Sequence, residues 1–177
     1  MKELKKSLIS IVIRYFFLIL ASIQGLWIFY FIFTPLTIYP VYFLLNLFFD
    51  ASLSAGTIII GKFHIEIIEA CVAGSAYYLL LILNLSVPNI KIKKRILMIG
   101  LSFVILLIVN ILRIFFLSVL AISDFSLFDI THKVFWYTVS ILLVIGIWFY
   151  EVKFFKIRQI PFYSDLKLLY KESSFKK

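Results

Sequence analysis

The 177-residue chain is 63% hydrophobic, has a mean hydropathy of +1.08, and carries charge on 15% of its residues for a net charge of +9. A soluble domain has about 45–50% apolar residues, so this composition excludes a water-soluble globular protein and identifies an integral membrane protein. The single cysteine excludes an internal disulfide, and no CxxC or His/Cys cluster is present to bind zinc. No cofactor or metal is expected, and the lack of a basic, aromatic-interleaved soluble region speaks against nucleic-acid binding.

The N-terminal Met1-Lys2-Glu3-Leu4-Lys5-Lys6 is basic, and the apolar run behind it has no small-residue cleavage site, so residues 8–33 are expected to be a retained first span. Arg14 reads as an anchor that snorkels to headgroups, while the deeper Gln24 is expected to face other helices. Thr34-Pro35 and Tyr39-Pro40 punctuate the next stretch. A span needs roughly 20 residues, so 35–49 is expected to be a short interfacial or re-entrant helix.

Residues 51–68 form the outer connection. Ser52, Ser54, Ala55 and Gly56 read as a turn, Thr57–Ile60 has strand composition, and Lys62–Ile67 alternates polar with apolar, which predicts a small hairpin lying on the membrane. A span over 69–87 follows, opened by Glu69-Ala70-Cys71 and ended by Pro88-Asn89. After the basic cluster Lys91–Arg95 come a span over 96–120 carrying Asn110 and Arg113, a polar loop with Asp124 and Asp129, a span over 132–150 opened by His132, and a basic tail over 151–177. The expected fold is a single-domain, all-α integral membrane protein: a helical bundle of about four spans, a short re-entrant or interfacial helix, and a small extracytoplasmic hairpin.

All of the 18 basic residues except Lys62, Arg113 and Lys133 fall on one side of that layout, so the positive-inside rule places both termini in the cytoplasm of a multi-pass cell-membrane protein. Arg113 lies 18 residues past Arg95, about 27 Å along an ideal helix, near the outer edge of the hydrocarbon. Cys71 and His132 open their spans on that same side. Three groups capable of chemistry thus reach one depth.

Each has a chemical reading. Cys71 sits in a helix's first turn, where unpaired backbone N–H groups favour a thiolate, and Glu66 and Glu69 push the other way. His132 is placed to exchange a proton with it, as in Cys/His acyl transfer. Arg113 is costly near lipid and is expected to face the bundle, stabilising the thiolate or an oxyanion or clamping a substrate carboxylate, with Asn110 one turn away to orient it. Asp129 is placed to cap the last span, with Thr131 as an alternative cap, and Gly74-Ser75-Ala76 offers a small-residue surface for another helix, such as one from a substrate. Taken singly, each also has an ordinary reading: packing for Cys71, an interfacial residue for His132, a structural Asn110–Arg113 pair, and the wet face of a strand for His64.

Ala70-Cys71 followed by Gly74, then Asn110-Ile111-Leu112-Arg113-Ile114, then His132 opening the next span, resembles the exosortase and archaeosortase family of membrane transpeptidases, most closely a small archaeal member. The resemblance covers roughly residues 62–148. It implies a cysteine transpeptidase that cleaves the C-terminal sorting tail of membrane-anchored surface proteins and passes the new C-terminus to a lipid or other acceptor. It implies Cys71 as nucleophile, Arg113 as stabiliser and His132 as acid/base, and as partners, besides membrane lipids, substrate proteins ending in a short motif, an apolar helix and a basic cluster. The chain departs from the family pattern in having Gly74 third after the cysteine and Trp136-Tyr137 where a glycine commonly follows the histidine. Two other function classes compete with it: a non-enzymatic membrane scaffold, and a small transporter, for which an inverted repeat has little room.

Overall fold

The computed structural model describes residues 2–23, 25–123 and 126–174, so the expected placements of Gln24 and Asp124 lie outside what it describes. Helix α1 (Lys2–Ser22) is followed by α2 (Trp27–Phe48), strands β1 (Ala51–Ser54), β2 (Thr57–Ile60) and β3 (Phe63–Glu66), and the one-turn helix α3 (Glu69–Val72). Then come α4 (Gly74–Leu85), α5 (Ile92–Ile122), α6 (Phe128–Val134), a π-helical turn (Phe135–Val139), α7 (Ser140–Phe154) and α8 (Tyr163–Ser174). Three helical stretches, Trp27–Phe48, Ile92–Ile122 and Phe128–Phe154, are long and apolar enough to cross a membrane, as a multi-pass membrane protein requires. Their outward residues, among them Phe31, Phe43, Ile108, Leu112 and Ile141, are large, apolar and exposed, which only a lipid surround accommodates.

The all-α expectation is overturned by the sheet. The three strands pair antiparallel in the order β1-β2-β3, so the protein is a mixed α/β membrane fold. The stretch read as a turn was half strand: Ser52 and Ser54 are the exposed members of an alternating β1, and the turn itself is only Ala55-Gly56, both at positive φ. Two consecutive left-handed residues are what a type I′ hairpin needs. Gly61, also at positive φ, opens the second tight turn. The inner face of the sheet, with Ile58 and Ile60 buried, closes onto α2.

The first apolar run is also divided differently. It breaks at Gly25 and Leu26, with φ of 65° and 67°, rather than continuing to residue 33, and the segment expected as a separate partial helix over 35–49 is the second half of α2. Pro35 and Pro40 lie inside that helix. In water a proline would end it; in hydrocarbon the backbone has no other partner, so the helix persists with individual bonds missing. The expected span over 69–87 is broken at Ala73, and the last span begins at Phe128, earlier than His132.

Helices α2 and α5 run in the same direction, with Phe29 and Phe33 against Phe103 at mid-height and Phe48 against Phe115 near the sheet. Between them Tyr77 of α4 stacks on Phe33 at 3.7 Å between ring centroids. Helix α4 runs opposite to α5, since the α3 turn just before its start bonds Asn110 and its end bonds Arg95. The bundle therefore has a sheet end and a basic end.

At the basic end Arg14 does not snorkel. It is buried, donates to the carbonyls of Ser10 and Leu85, and forms an ion pair with Asp165 of α8 at 2.9 Å. Helix α8, within the stretch expected as a basic tail, thus folds back onto α1. Arg95 is buried too and donates to the carbonyls of Asn84 and Leu85, orphan acceptors at the end of α4, and of Val87 just beyond it. Both arginines replace water at a helix terminus.

Candidate functional site

Cys71 is positioned by a broken helix. Strand β3 leads into α3, whose single turn is closed by Cys71 N–H to Ile68 O at 2.8 Å and ends where Ala73 turns left-handed at φ 63° and ψ 39°. For a residue with a Cβ that conformation costs about 1–2 kcal/mol. The turn leaves the carbonyls of Cys71 and Val72 without helical partners. Asn110 Nδ2 donates to Cys71 O at 2.9 Å and reaches Val72 O at 3.5 Å, while Arg113 Nη2 donates to Cys71 O at 3.3 Å. Asn110 therefore does not orient the guanidinium; both side chains meet on one main-chain oxygen.

The other half of the guanidinium is held by a residue that sequence reasoning missed. Arg113 Nη1 donates to Ser140 Oγ at 2.8 Å, and Ser140 Oγ donates to Phe135 O at 2.9 Å, five residues back across the π-helical turn. That carbonyl also accepts the backbone N–H of Ser140, the i→i+5 bond of the π-helical turn, so main chain and hydroxyl of Ser140 share one acceptor. The available signal was a lone serine eight residues after His132 in an otherwise apolar helix. Neither Glu66 nor Glu69 bonds Arg113 among the described residues.

One cavity of about 410 Å³ gathers the chemistry. Its walls are the consecutive residues 63–68 and Cys71 on one side and Arg113, Ile114, Leu117, Ser118, Ala121, Phe128 and His132 on the other. Cys71, Arg113 and His132 come from α3, α5 and α6, and the structure brings all three to this one space. The His132 ring stacks on Phe128, with centroids 5.7 Å apart and planes 3° from parallel. His64 and Glu66, exposed on β3, line the same cavity.

The remaining expected residues fall elsewhere. Glu69 faces a second cavity of about 630 Å³, together with Tyr30, Gly74, Ser75, Arg113 and Ser140, and Ile68 and Arg113 are common to both spaces. Asp129 is exposed within the first turn of α6 and is not its N-cap; the N-cap position is Leu127, with no side-chain cap bond. Thr131 likewise lies inside α6. Tyr30 packs close over Gly74, where a Cβ would stand 2.6 Å from its ring, while Gly74, Ser75 and Ala76 line the second cavity. Among the described residues no His/Cys/Asp/Glu group has the makings of a metal site.

No protein-family model matches the sequence, and no curated protein or solved structure matches the chain.

Proposed function

We propose that the protein is a membrane cysteine peptidase or transpeptidase that cleaves the C-terminal tail of membrane-anchored proteins. One observation carries this reading: a thiol, a guanidinium and an imidazole from three separate elements line a single cavity at the sheet end. The order and spacing of Cys71, Arg113 and His132, similar to the exosortase and archaeosortase pattern, supports it. By the positive-inside rule the basic end and both terminal segments lie in the cytoplasm, and the cavity opens on the outer side.

In the reaction Cys71 Sγ attacks the scissile carbonyl carbon as its proton passes to His132. Collapse of the tetrahedral intermediate breaks the C–N bond, His132 returns the proton to the leaving amine, and the retained segment is left as a thioester. An amine or alcohol acceptor, or water, then attacks the thioester and frees the thiol. Arg113, pinned between Cys71 O and Ser140 Oγ, supplies fixed positive charge to the oxyanion that develops on the attacked carbonyl. Its position costs no rearrangement during the step.

The substrate chemistry that fits is a protein ending in a short motif, an apolar helix and a basic cluster, which would hold the scissile bond at the membrane's outer edge. Co-expression with such a protein, encoded near this gene, tests the reading. Processing is expected with the wild type and absent with Cys71→Ala at equal membrane abundance; undiminished processing by Cys71→Ala removes the proposal. A second reading, a non-enzymatic scaffold, draws on a specific observation: Asn110 and Arg113 both satisfy a backbone carbonyl, which is structural work complete in itself. The same pair of strains separates the two readings.

A further inference from the structure

The sheet leaves an open edge on the cavity. With the order β1-β2-β3, strand β3 has a partner on one side only, and the cavity lies along the other. In a strand successive side chains point to opposite faces, so a space against one face touches every second residue. Here Phe63, His64, Ile65, Glu66, Ile67 and Ile68 all line it, which places the space against the edge of the strand, not against a face.

The register identifies which backbone groups are available. Gly61-Lys62 is a two-residue turn, so the flanking pair Ile60/Phe63 exchanges hydrogen bonds, and alternation makes Ile58/Ile65 the next bonded pair. Ile59/His64 and Thr57/Glu66 are the non-bonded pairs. The N–H and C=O of His64 and Glu66 therefore point away from β2, into the cavity. Among the described residues no hydrogen bond outside the sheet takes up either backbone. Unpaired edges are normally covered, and at a membrane surface the requirement is stricter because lipid cannot satisfy them.

We infer that the free edge of β3 binds an extended peptide segment by strand addition, as a fourth strand lying between β3 and the α5–α6 wall and passing Cys71. The occupant is a peptide because two donors and two acceptors at every-second-residue spacing match a strand's backbone and no helix, whose own groups are internally bonded. This deepens the peptidase reading, on which it rests for the occupant being a substrate. Sequence preference then comes from alternate side chains meeting the apolar wall of Ile114, Leu117 and Ala121.

The test uses the full chain in nanodiscs as Cys71→Ala, to stop turnover, against a displayed library of random heptapeptides. The best binder is synthesised, and each of its amides is N-methylated in turn. Binding is expected to weaken about tenfold or more at alternate residues and to hold at those between. His64→Pro, which removes an outward N–H without touching the β2 ladder, should weaken binding similarly, while His64→Ala, which keeps the N–H, should stay within about threefold. Recovery of no binder, or a binder indifferent to N-methylation at every position, overturns the inference, and the methylation series involves no change to the protein's own fold. The two ideas fail separately: the peptidase reading fails if Cys71→Ala still processes its substrate, and strand addition fails if the alternating methylation pattern is missing.

Discussion

Two side chains that share one acceptor should be coupled with a definite sign. Asn110 Nδ2 and Arg113 Nη2 both donate to Cys71 O, at 2.9 and 3.3 Å. Asn110→Leu and Arg113→Met keep most of the side-chain volume and remove one donor each. Each single variant leaves the oxygen with one partner, so Asn110→Leu should lose about the net worth of one hydrogen bond, 0.5–1.5 kcal/mol, and Arg113→Met, which also gives up the bond to Ser140 Oγ, about that of two. The double variant strands a carbonyl at the end of a broken turn, for which the desolvation penalty is about 1–3 kcal/mol. The loss in the double variant should therefore exceed the sum of the singles by about 1 kcal/mol. Reversible unfolding in mixed SDS and mild-detergent micelles, followed by tryptophan fluorescence, gives the three values. Additivity to within about 0.3–0.5 kcal/mol would mean that the two donors do not act on a common atom and would refute the account of how α3 is held.

Ser140→Ala removes one of the two anchors of the guanidinium, so processing should fall about tenfold while Cys71 alkylation stays near the wild-type rate; unchanged processing would detach Ser140 from the site. Asp165→Asn leaves Arg14 buried without its counter-charge and should cost about 3–5 kcal/mol in the same unfolding assay, whereas Arg14→Met with Asp165→Leu should restore most of it. Gly74→Ala drives a methyl into Tyr30 and should cost about 1–3 kcal/mol, and Tyr30→Val in the same chain should return most of the loss. Equal destabilisation with and without the Tyr30 change would show that the contact is not the cause.

What the sequence revealed and what it hid divide along the range of the interactions. Helix lengths and the charge pattern set how deep a residue lies, and that was enough to bring Cys71, Arg113 and His132 to one end of the bundle. Their directions were not readable, because they depend on the break at Ala73 and the π-helical turn, neither of which leaves a compositional mark. Strand β1 was hidden by Ser52 and Ser54, since four residues of small polar alternation look like a loop until a neighbouring strand pairs with them. The prolines of α2 misled for the opposite reason: their local cost is real, but the lipid removes the alternative that would make it decisive. Arg14 was misplaced because its partner, Asp165, stands 151 residues further along the chain.

Arginines hold helix α4 and the adjoining turn of α3 at both ends, and this arrangement bears on how the thiol is presented. Arg95 and Arg14 take the carbonyls at the basic end; Arg113, with Asn110, takes those left by the break at the sheet end. A guanidinium suits this work because it stays charged, carries five donors in a plane and can bridge diverging carbonyls. The backbone of Cys71 is thereby fixed through its own main-chain oxygen. The sulfur is free of that network, so replacing it should leave the backbone of the site in place. Cys71→Ser should unfold at the same denaturant concentration as the wild type, and its loss of processing can then be assigned to the missing thiol. If Cys71→Ser were as unstable as Arg113→Met, the side chain would be part of the scaffold, and the division between a fixed backbone and a reactive sulfur would be wrong.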